Sequence, residues 1–566
     1  MPPASRAERV LSVPAALVVS FVQWWPAFSR PDATGFGDWQ MIHHNWEAAF
    51  IALARFHEWP LWDPFHCGGV SILGNPESQL YSPLFALSFV IGTVLAVKVF
   101  LVLHVAAALL GAYWLARAEY ALAPPAAALS ALAWGLSGCF AWDGAGGHAT
   151  FLPFAFAPWL ILCFRRSERS LSYVVATAAL LALSLVEGAT YPFPYFVLLL
   201  GLELVRRLAI GGGRARVLRA SALIAGLCAL LGAIRLVPIA VALHDAPRTL
   251  ESTDFLSLGD VLLMLTARDH AWRFAGHKYV WPEYGSYVGW PVLVFAALGL
   301  LRVLRGGRRD LLLGLGAFGL LMLGSRAAYY PWPLLRALPV FDSLRVPSRF
   351  SVLFTLYLAL LAGTGLSLLL ERWRRRRWVA YAALLLVGGI GADIVLVNLR
   401  VVDRWDGPAL SRQSPEAELF LVRERDHHFK YASYPRRNLG SDLCYAGGMN
   451  WQISDALWIG ASRQARVPGG HGRVLACARS TARASAEVEL SAPGRVVFNQ
   501  NFAPGWYSNT GVVVADRGRL AVALPAGRHH VELAYAPAWF APSALLSLCG
   551  LLIAGWFLVF ARRVPP

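Results

Sequence analysis

Apolar residues in this chain come in long blocks that recur from Val10 to Phe560, and arginines collect in the short segments between them. A hydrocarbon core about 30 Å thick takes roughly 20 residues of helix to cross. By that measure twelve runs predict membrane-spanning helices: 10–28, 97–117, 123–141, 150–165, 171–187, 192–208, 216–240, 289–303, 310–325, 350–370, 378–398 and 541–560. The apolar piece 84–95 is too short and too close to the next run to cross alone, so it reads as a re-entrant or interfacial segment. The pattern changes after residue 398. Segment 399–540 is more polar, and from Ser480 on it alternates apolar and polar in "ARASAEVEL", "GRVVFNQNF", "GVVVADRGRLAVAL" and "RHHVELAY". Period-two alternation broken by "SAPG", "APGW" and "LPAG" predicts an antiparallel sheet, a small β-sandwich. The expected architecture is a polytopic α-helical membrane protein of about 12 transmembrane helices. A transmembrane domain, 1–398, carries a long first outer loop, 29–96. A mainly-β extracytoplasmic domain, 399–540, precedes a final helix and basic tail, 541–566.

Composition agrees. Of the 566 residues 57 % are hydrophobic and 15 % charged, which excludes an ordinary soluble domain. The net charge of +17, from 51 Lys and Arg against 34 Asp and Glu, would suggest nucleic acid in a soluble chain. Here the basic residues fall in "RAER" before the first run, then in "RRSER", "RRLAIGGGRARVLR", "RVLRGGRR", "ERWRRRR" and the final "ARR". With twelve spans and a cytoplasmic N-terminus every cluster lies on the cytoplasmic side, so the charge is a topology signal in an inner-membrane, multi-pass protein. The partners expected are membrane lipids and no nucleic acid. The first run reads as a retained span rather than a signal peptide. Cys139, Cys163, Cys228 and Cys549 lie in or beside spans and read as packing residues. Cys444 and Cys477 share one polar segment and are candidates for a disulfide in an oxidising envelope.

On this topology the ionisable residues gather on the outer face. Asp32, Asp38, His43, His44, Glu47 and Asp63 lie in the first loop, and Asp143 and His148 in "AWDGAGGHATF". Glu187 ends a span in "LVEGATYPFPY", and Arg235 sits in the outer third of another, followed by Arg248. Glu283 and Tyr284 lie in "WPEYGSYVGWP", and Arg345 and Arg349 in "FDSLRVPSRF". A charge inside a span costs about 2.5–3.5 kcal/mol on insertion scales, so such residues are functional candidates by default. Acids and arginines on one face suit an anionic, membrane-borne substrate. Trp39, Ile42, Trp46, Phe50, Leu53 and Phe56 recur at helical spacing and predict a helix over 38–57, lying along the outer membrane surface with Asp38 at its N-terminus. Asp38 is then either a general base or only an N-cap. Arg345 and Arg349 flank Pro347 and are either an anion clamp or snorkelling side chains. Arg235 meets the same phosphate or pairs with an outer acid. Asp143 and His148 hold an acceptor or form a loop salt bridge, and Glu187, Glu283 and Tyr284 are substrate contacts or structural groups. His104 reads as a helix–helix hydrogen bond. No metal-ligand set and no certain cofactor are evident, with a divalent metal left as an open alternative.

Four stretches carry a resemblance: "PLWDPFHCGGVSILGNPESQLYSP" (60–83), "EYGSYVGWPVLVFAALGLL" (283–301), "LRVPSRF" (344–350) and "APGWYSN…LPAGRHHVELAYAP" (503–537). In these the chain resembles the bacterial YfhO-type membrane proteins. In the acid just after its first span, followed by a helix, it resembles the type-C (GT-C fold) glycosyltransferases. The resemblance implies a GT-C-like membrane domain and inverting transfer of a sugar from an undecaprenyl-phosphate-type donor to an envelope polysaccharide, lipid or protein acceptor. It implies Asp38 as the catalytic acid of the first loop. The donor's phosphate would lie near Arg345, Arg349 and Arg235. A transporter or flippase of a lipid-linked or anionic solute, and a non-catalytic envelope scaffold, are the alternatives.

Overall fold

The computed structural model describes residues 5–563 apart from 36, 189, 249, 271–272, 373–375, 404, 413–419, 423–430, 446–450, 452 and 461–463, and apart from the side chains of 377, 420 and 560–563. Part of the basic run 371–377, including Arg375, is therefore outside the described residues.

Every apolar run lies on helix. Among the described residues six segments are single spans long and apolar enough to cross a membrane: Arg6–Phe28, Thr93–Ala118, Pro124–Gly146, Pro347–Arg372, Trp378–Val402 and Phe540–Val559. A seventh results if Arg214–Leu231 and Ala233–Asp245, bent by 76°, count as one. Helices Ala157–Arg166, Leu171–Val186, Pro192–Ile210, Trp290–Leu304 and Arg309–Met322 cover the remaining runs. The difference from twelve full spans has a local cause, since prolines and glycines divide or shorten the helices. Pro153 sits inside the 3-10 turn Ala149–Phe156, and Gly232 separates the bent pair. Ion pairs gather several basic clusters at one end of the bundle. Arg117 meets Glu8, Arg166 meets Glu119, Arg207 meets Glu168, and Arg165 meets both Glu203 and Asp310.

The first loop is a layer between the helices and the β region. Its helix runs Trp39–Ala54 and is an interior helix, which corrects the expected surface position: twelve of its sixteen residues are buried. The polar face is roofed by a distant segment, where Arg436 pairs with Glu47 at 2.7 Å and the Tyr431 carbonyl meets His44 Nδ1 at 3.0 Å. Segment 84–95 forms a 3-10 turn, Pro83–Leu87, and a short helix, Ser88–Ile91, with Phe89, Val90 and Ile91 exposed. Gly92, at φ 77°, then turns the chain into Thr93–Ala118.

The β region contains two four-stranded sheets. Arg483–Leu490 pairs with Gly527–Tyr535 on one side and Gly472–Arg479 on the other, all antiparallel. Gly494–Asn501, Arg519–Leu524 and Val512–Asp516 form most of the other sheet. Alternate residues point inward, so Val488, Val496, Val522 and Val531 are buried together. Strand Gly472–Arg479 escapes the sequence pattern because only Val474 on it is buried and its register shifts between Val474 and Ala476. The sandwich grips the first loop. Trp62 Nε1 donates to Gln500 Oε1, Asn501 Nδ2 donates to the Cys67 and Gly69 carbonyls, and Glu58 accepts from Thr481 and the Ala482 N–H.

The disulfide joins Cys67 to Cys444, and Cys477 is free. The candidate Cys444–Cys477 pairing is therefore not the one formed. Cys477 is held on its strand opposite Ala486. Cys444 is carried to the first loop by hydrogen bonds from the Cys67 N–H to the Leu443 carbonyl and from the Gly68 N–H to the Ser441 carbonyl.

Candidate active site

Asp38 stands at the N-terminus of the helix Trp39–Ala54, but its side chain makes no capping hydrogen bond. Its Oδ1 accepts from Tyr445 Oη at 2.6 Å, and its Oδ2 lies 3.6 Å from His148 Nε2. Gly147 permits this approach. It has φ 87°, and a Cβ there would fall 2.3 Å from the Trp39 nitrogen, so only glycine lets the 146–148 turn lie against the start of the helix. His148 Nδ1 is 3.5 Å from Asp143 Oδ1. Burial opposes a charged His148, but Asp143, Glu283 and Asp38 outweigh it and hold its pKa above that of an ordinary histidine.

Beside this trio, Glu283 takes two hydrogen bonds from Arg349, at 2.6 and 2.7 Å. Both side chains are about nine-tenths buried, at 8 % and 10 % exposed. Burial alone would raise the Glu283 pKa, but Arg349 and His148 hold it below the usual carboxylate range. The Arg349 guanidinium also lies over Tyr191 and Phe151, at 4.1 and 4.5 Å from the ring centroids. Arg345 is exposed and lies over Tyr279 at 5.6 Å, with its carbonyl fixed by Ser252 Oγ.

Two members of the cluster were not singled out as site residues from the sequence. Arg248 is 8 % exposed, and its Nε has no hydrogen-bond partner among the described residues. It stands in the field of Tyr191, Glu77, Arg349 and Arg345, and burial pushes its pKa down. Glu77 has a buried Oε2 without a partner among the described residues. Burial pushes its pKa up to about 7; Asp38 adds to the rise, while Arg248, His148 and Arg349 oppose it. The signal for Glu77 was a lone acid in "GNPESQL", within a stretch that carries the resemblance. The signal for Arg248 was the first arginine after the bent helix. Nothing local marks Tyr445.

The remaining candidates lie elsewhere. Glu187 is buried, accepts from Ser82 Oγ at 2.9 Å and lies 3.0 Å from His104 Nε2, so His104 does bridge segments. Tyr284 donates to Asp254 at 2.8 Å. Arg235 is fully buried and donates to the carbonyls of Leu73, Asn75 and Ser78, bracing the loop that carries Glu77. His44 pairs with Asp63 at 2.8 Å beneath the 431–437 roof. His43 is buried with both ring nitrogens unpartnered among the described residues, and burial pushes its pKa down to about 3. Among the described residues no group of three or more His, Cys, Asp or Glu side chains is placed to hold a metal ion.

No protein-family model matches the chain, and no curated protein matches it. Among solved structures it is similar to the arabinofuranosyltransferase AftD from mycobacteria, determined by single-particle cryo-EM. One structure aligns at TM-score 0.44 and 19 % identity over 72 % of this chain. A second, a mutant of AftD, aligns at TM-score 0.49 and 15 % identity over 94 %. The chain spans only 27 % and 42 % of the length of those two chains. At these scores the likeness is a loose one.

Proposed function

We propose that this protein is a membrane glycosyltransferase that moves a sugar from a polyprenyl-phosphate donor to an envelope acceptor at the extracytoplasmic face. The observation that carries the reading is one cluster holding a carboxylate free of capping duty, Asp38, and a buried arginine with an unpaired Nε, Arg248. A buried, incompletely bonded guanidinium is costly unless an anion completes it. The GT-C and YfhO-type resemblance of the sequence points the same way.

In this reading Asp38 accepts the proton of the acceptor hydroxyl as that oxygen bonds to the anomeric carbon, and the bond from that carbon to the phosphate oxygen breaks. The arrangement is that of an inverting transfer with a single displacement. Arg248, which is buried, and Arg345, at the exposed rim, take the departing phosphate through charge-assisted hydrogen bonds, and burial strengthens that of Arg248. Arg349 is committed to Glu283 and shapes the site through Tyr191 and Phe151. Arg235 positions Glu77 through the 73–78 loop. Asp143 and His148 orient the carboxylate side. No step is routed through a metal. The Cys67–Cys444 disulfide supports an oxidising compartment for this face, and hence a multi-pass inner-membrane protein with the β domain outside.

The test is purified protein with a labelled polyprenyl-phosphate sugar and envelope extract. Release of polyprenyl phosphate with label in the acceptor is the expected result. Movement of intact lipid across vesicles would mark a flippase, and neither outcome a scaffold.

A further inference from the structure

A cleft separate from the carboxylate–arginine cluster lies against the β-sandwich. A cavity of about 480 Å³ opens where the sandwich meets the end of the helix Ala233–Asp245. This volume lies within the roughly 300–1,000 Å³ of small-molecule sites. None of Asp38, Glu77, His148, Arg248, Arg345 and Arg349 lines it.

Its walls have a distinct chemistry. Trp62, Trp451, Tyr507, Tyr535 and Trp539 supply aromatic faces, and Asp245 is the only charged side chain among the described lining residues. Trp62 is nearly fully buried and sits deep, against Tyr535 at 4.8 Å. Tyr507 is 54 % exposed, so it stands at the mouth. Asp245 is exposed. Gly69, at φ 105°, would place a Cβ 2.8 Å from the Trp62 indole, so the backbone there lies directly on the ring. Among the described lining residues an anionic headgroup finds no cation and one carboxylate against it. A purely apolar chain would leave Asp245 to be desolvated without a partner. A neutral polyol satisfies both features: the C–H faces of sugar rings lie on indole and phenol rings, and a hydroxyl donates to the carboxylate.

The cleft and the cluster are joined by chain. Gly74 lines the cleft and Glu77, three residues on, belongs to the cluster; Asp245 lines the cleft and Arg248, three residues on, belongs to the cluster. We infer that this cleft is a binding site for a neutral oligosaccharide, seated between the β-sandwich and the helix Ala233–Asp245. That the saccharide is the acceptor's own glycan rests on the glycosyltransferase reading; that a saccharide binds here does not.

The experiment uses the full chain in nanodiscs, without donor. Neutral gluco-, manno- and arabino-oligosaccharides of increasing length are titrated by saturation-transfer NMR and tryptophan fluorescence, with choline as the competing ligand for an aromatic site. The expected result is saturable binding by at least one oligosaccharide series. Tyr507→Ala and Asp245→Asn should weaken it at least tenfold while thermal unfolding stays unchanged. Absence of binding by every series, binding indifferent to both substitutions, or displacement by choline would each overturn the inference. Saccharide binding without sugar transfer from a polyprenyl-phosphate donor would instead count against the transferase reading and leave the cleft assignment standing.

Discussion

Two clusters of buried charge sit near opposite ends of the helix Pro192–Ile210, and they are built on different rules. Near its C-terminal end Glu203 takes both Nε and Nη2 of Arg165, at 2.9 and 2.7 Å, and Arg206 adds a third contact at 2.9 Å. Arg165 Nη2 also donates to Asp310 at 2.9 Å, and Asp310 accepts from Tyr120 at 2.8 Å. Every charge there is answered by another protein group. At the other end, beside Tyr191, the pairing stops short. Glu283 and Arg349 satisfy each other, but Arg248 Nε and Glu77 Oε2 have no partner among the described residues. Unpaired buried polarity is expensive. A closed network can repay its own desolvation, whereas an open one fits a place where a ligand completes the set.

The comparison can be broken most directly at Asp38. Asp38→Asn keeps size and the hydrogen bond from Tyr445 but removes basicity. Sugar transfer is expected to fall by about 10²–10⁴-fold, the usual share of a general base, with donor-lipid binding little changed. Transfer at the wild-type rate would remove Asp38 from the chemistry.

The next effect contrasts the two arginines. Arg165→Gln opens the closed network and strands Glu203 and Asp310, so it should cost roughly 3–5 kcal/mol of stability in thermal or denaturant unfolding. Arg248→Gln breaks no ion pair and should leave unfolding nearly unchanged. It should weaken donor binding by roughly 10–100-fold, the equivalent of one charge-assisted hydrogen bond of about 1.5–3 kcal/mol. Equal stability losses in both variants would erase the distinction.

A smaller effect is a pH dependence set by Glu77. Its pKa is raised to about 7 by burial, so between the ordinary carboxylate range and pH 7 the folded protein keeps a proton that the unfolded chain has lost. Stability attributable to this group therefore declines as pH rises through that window, since the folded state binds more protons. Above about pH 7 the Glu77 anion also competes with a phosphate for Arg248. Donor affinity should fall on the alkaline side, and Glu77→Gln should flatten that limb. An unchanged limb in Glu77→Gln would assign it to another group.

The smallest expected change is covalent. A non-reducing peptide map should join Cys67 to Cys444 and leave Cys477 open to alkylation. Cys67→Ser should increase protease access to the loop that presents Tyr445 without unfolding the helices. A Cys444–Cys477 peptide would contradict the fold around Asp38.

The apolar runs, the period-two strands after Ser480 and the arginine-rich connections were readable because each is a local pattern. A helix or strand shows its periodicity within one stretch of chain. Asp38, Glu283, Arg345 and Arg349 were legible as costly charges at the ends of apolar runs. What the pattern could not supply was the company these residues keep. Arg436 meets Glu47 across 389 residues of chain, Tyr445 meets Asp38 across 407, and the disulfide closes 377. Local periodicity contains no term for such distant contacts. They turned an expected surface helix into an interior one, took Arg235 into the loop behind the site, and brought Arg248 and Glu77 forward. Local pattern in the chain marked most of the helices, the strands after Ser480 and the places where charge would be costly. Which charges are paired and which are left open was settled by packing, because pairing depends on desolvation and on distances that arise when remote segments come together.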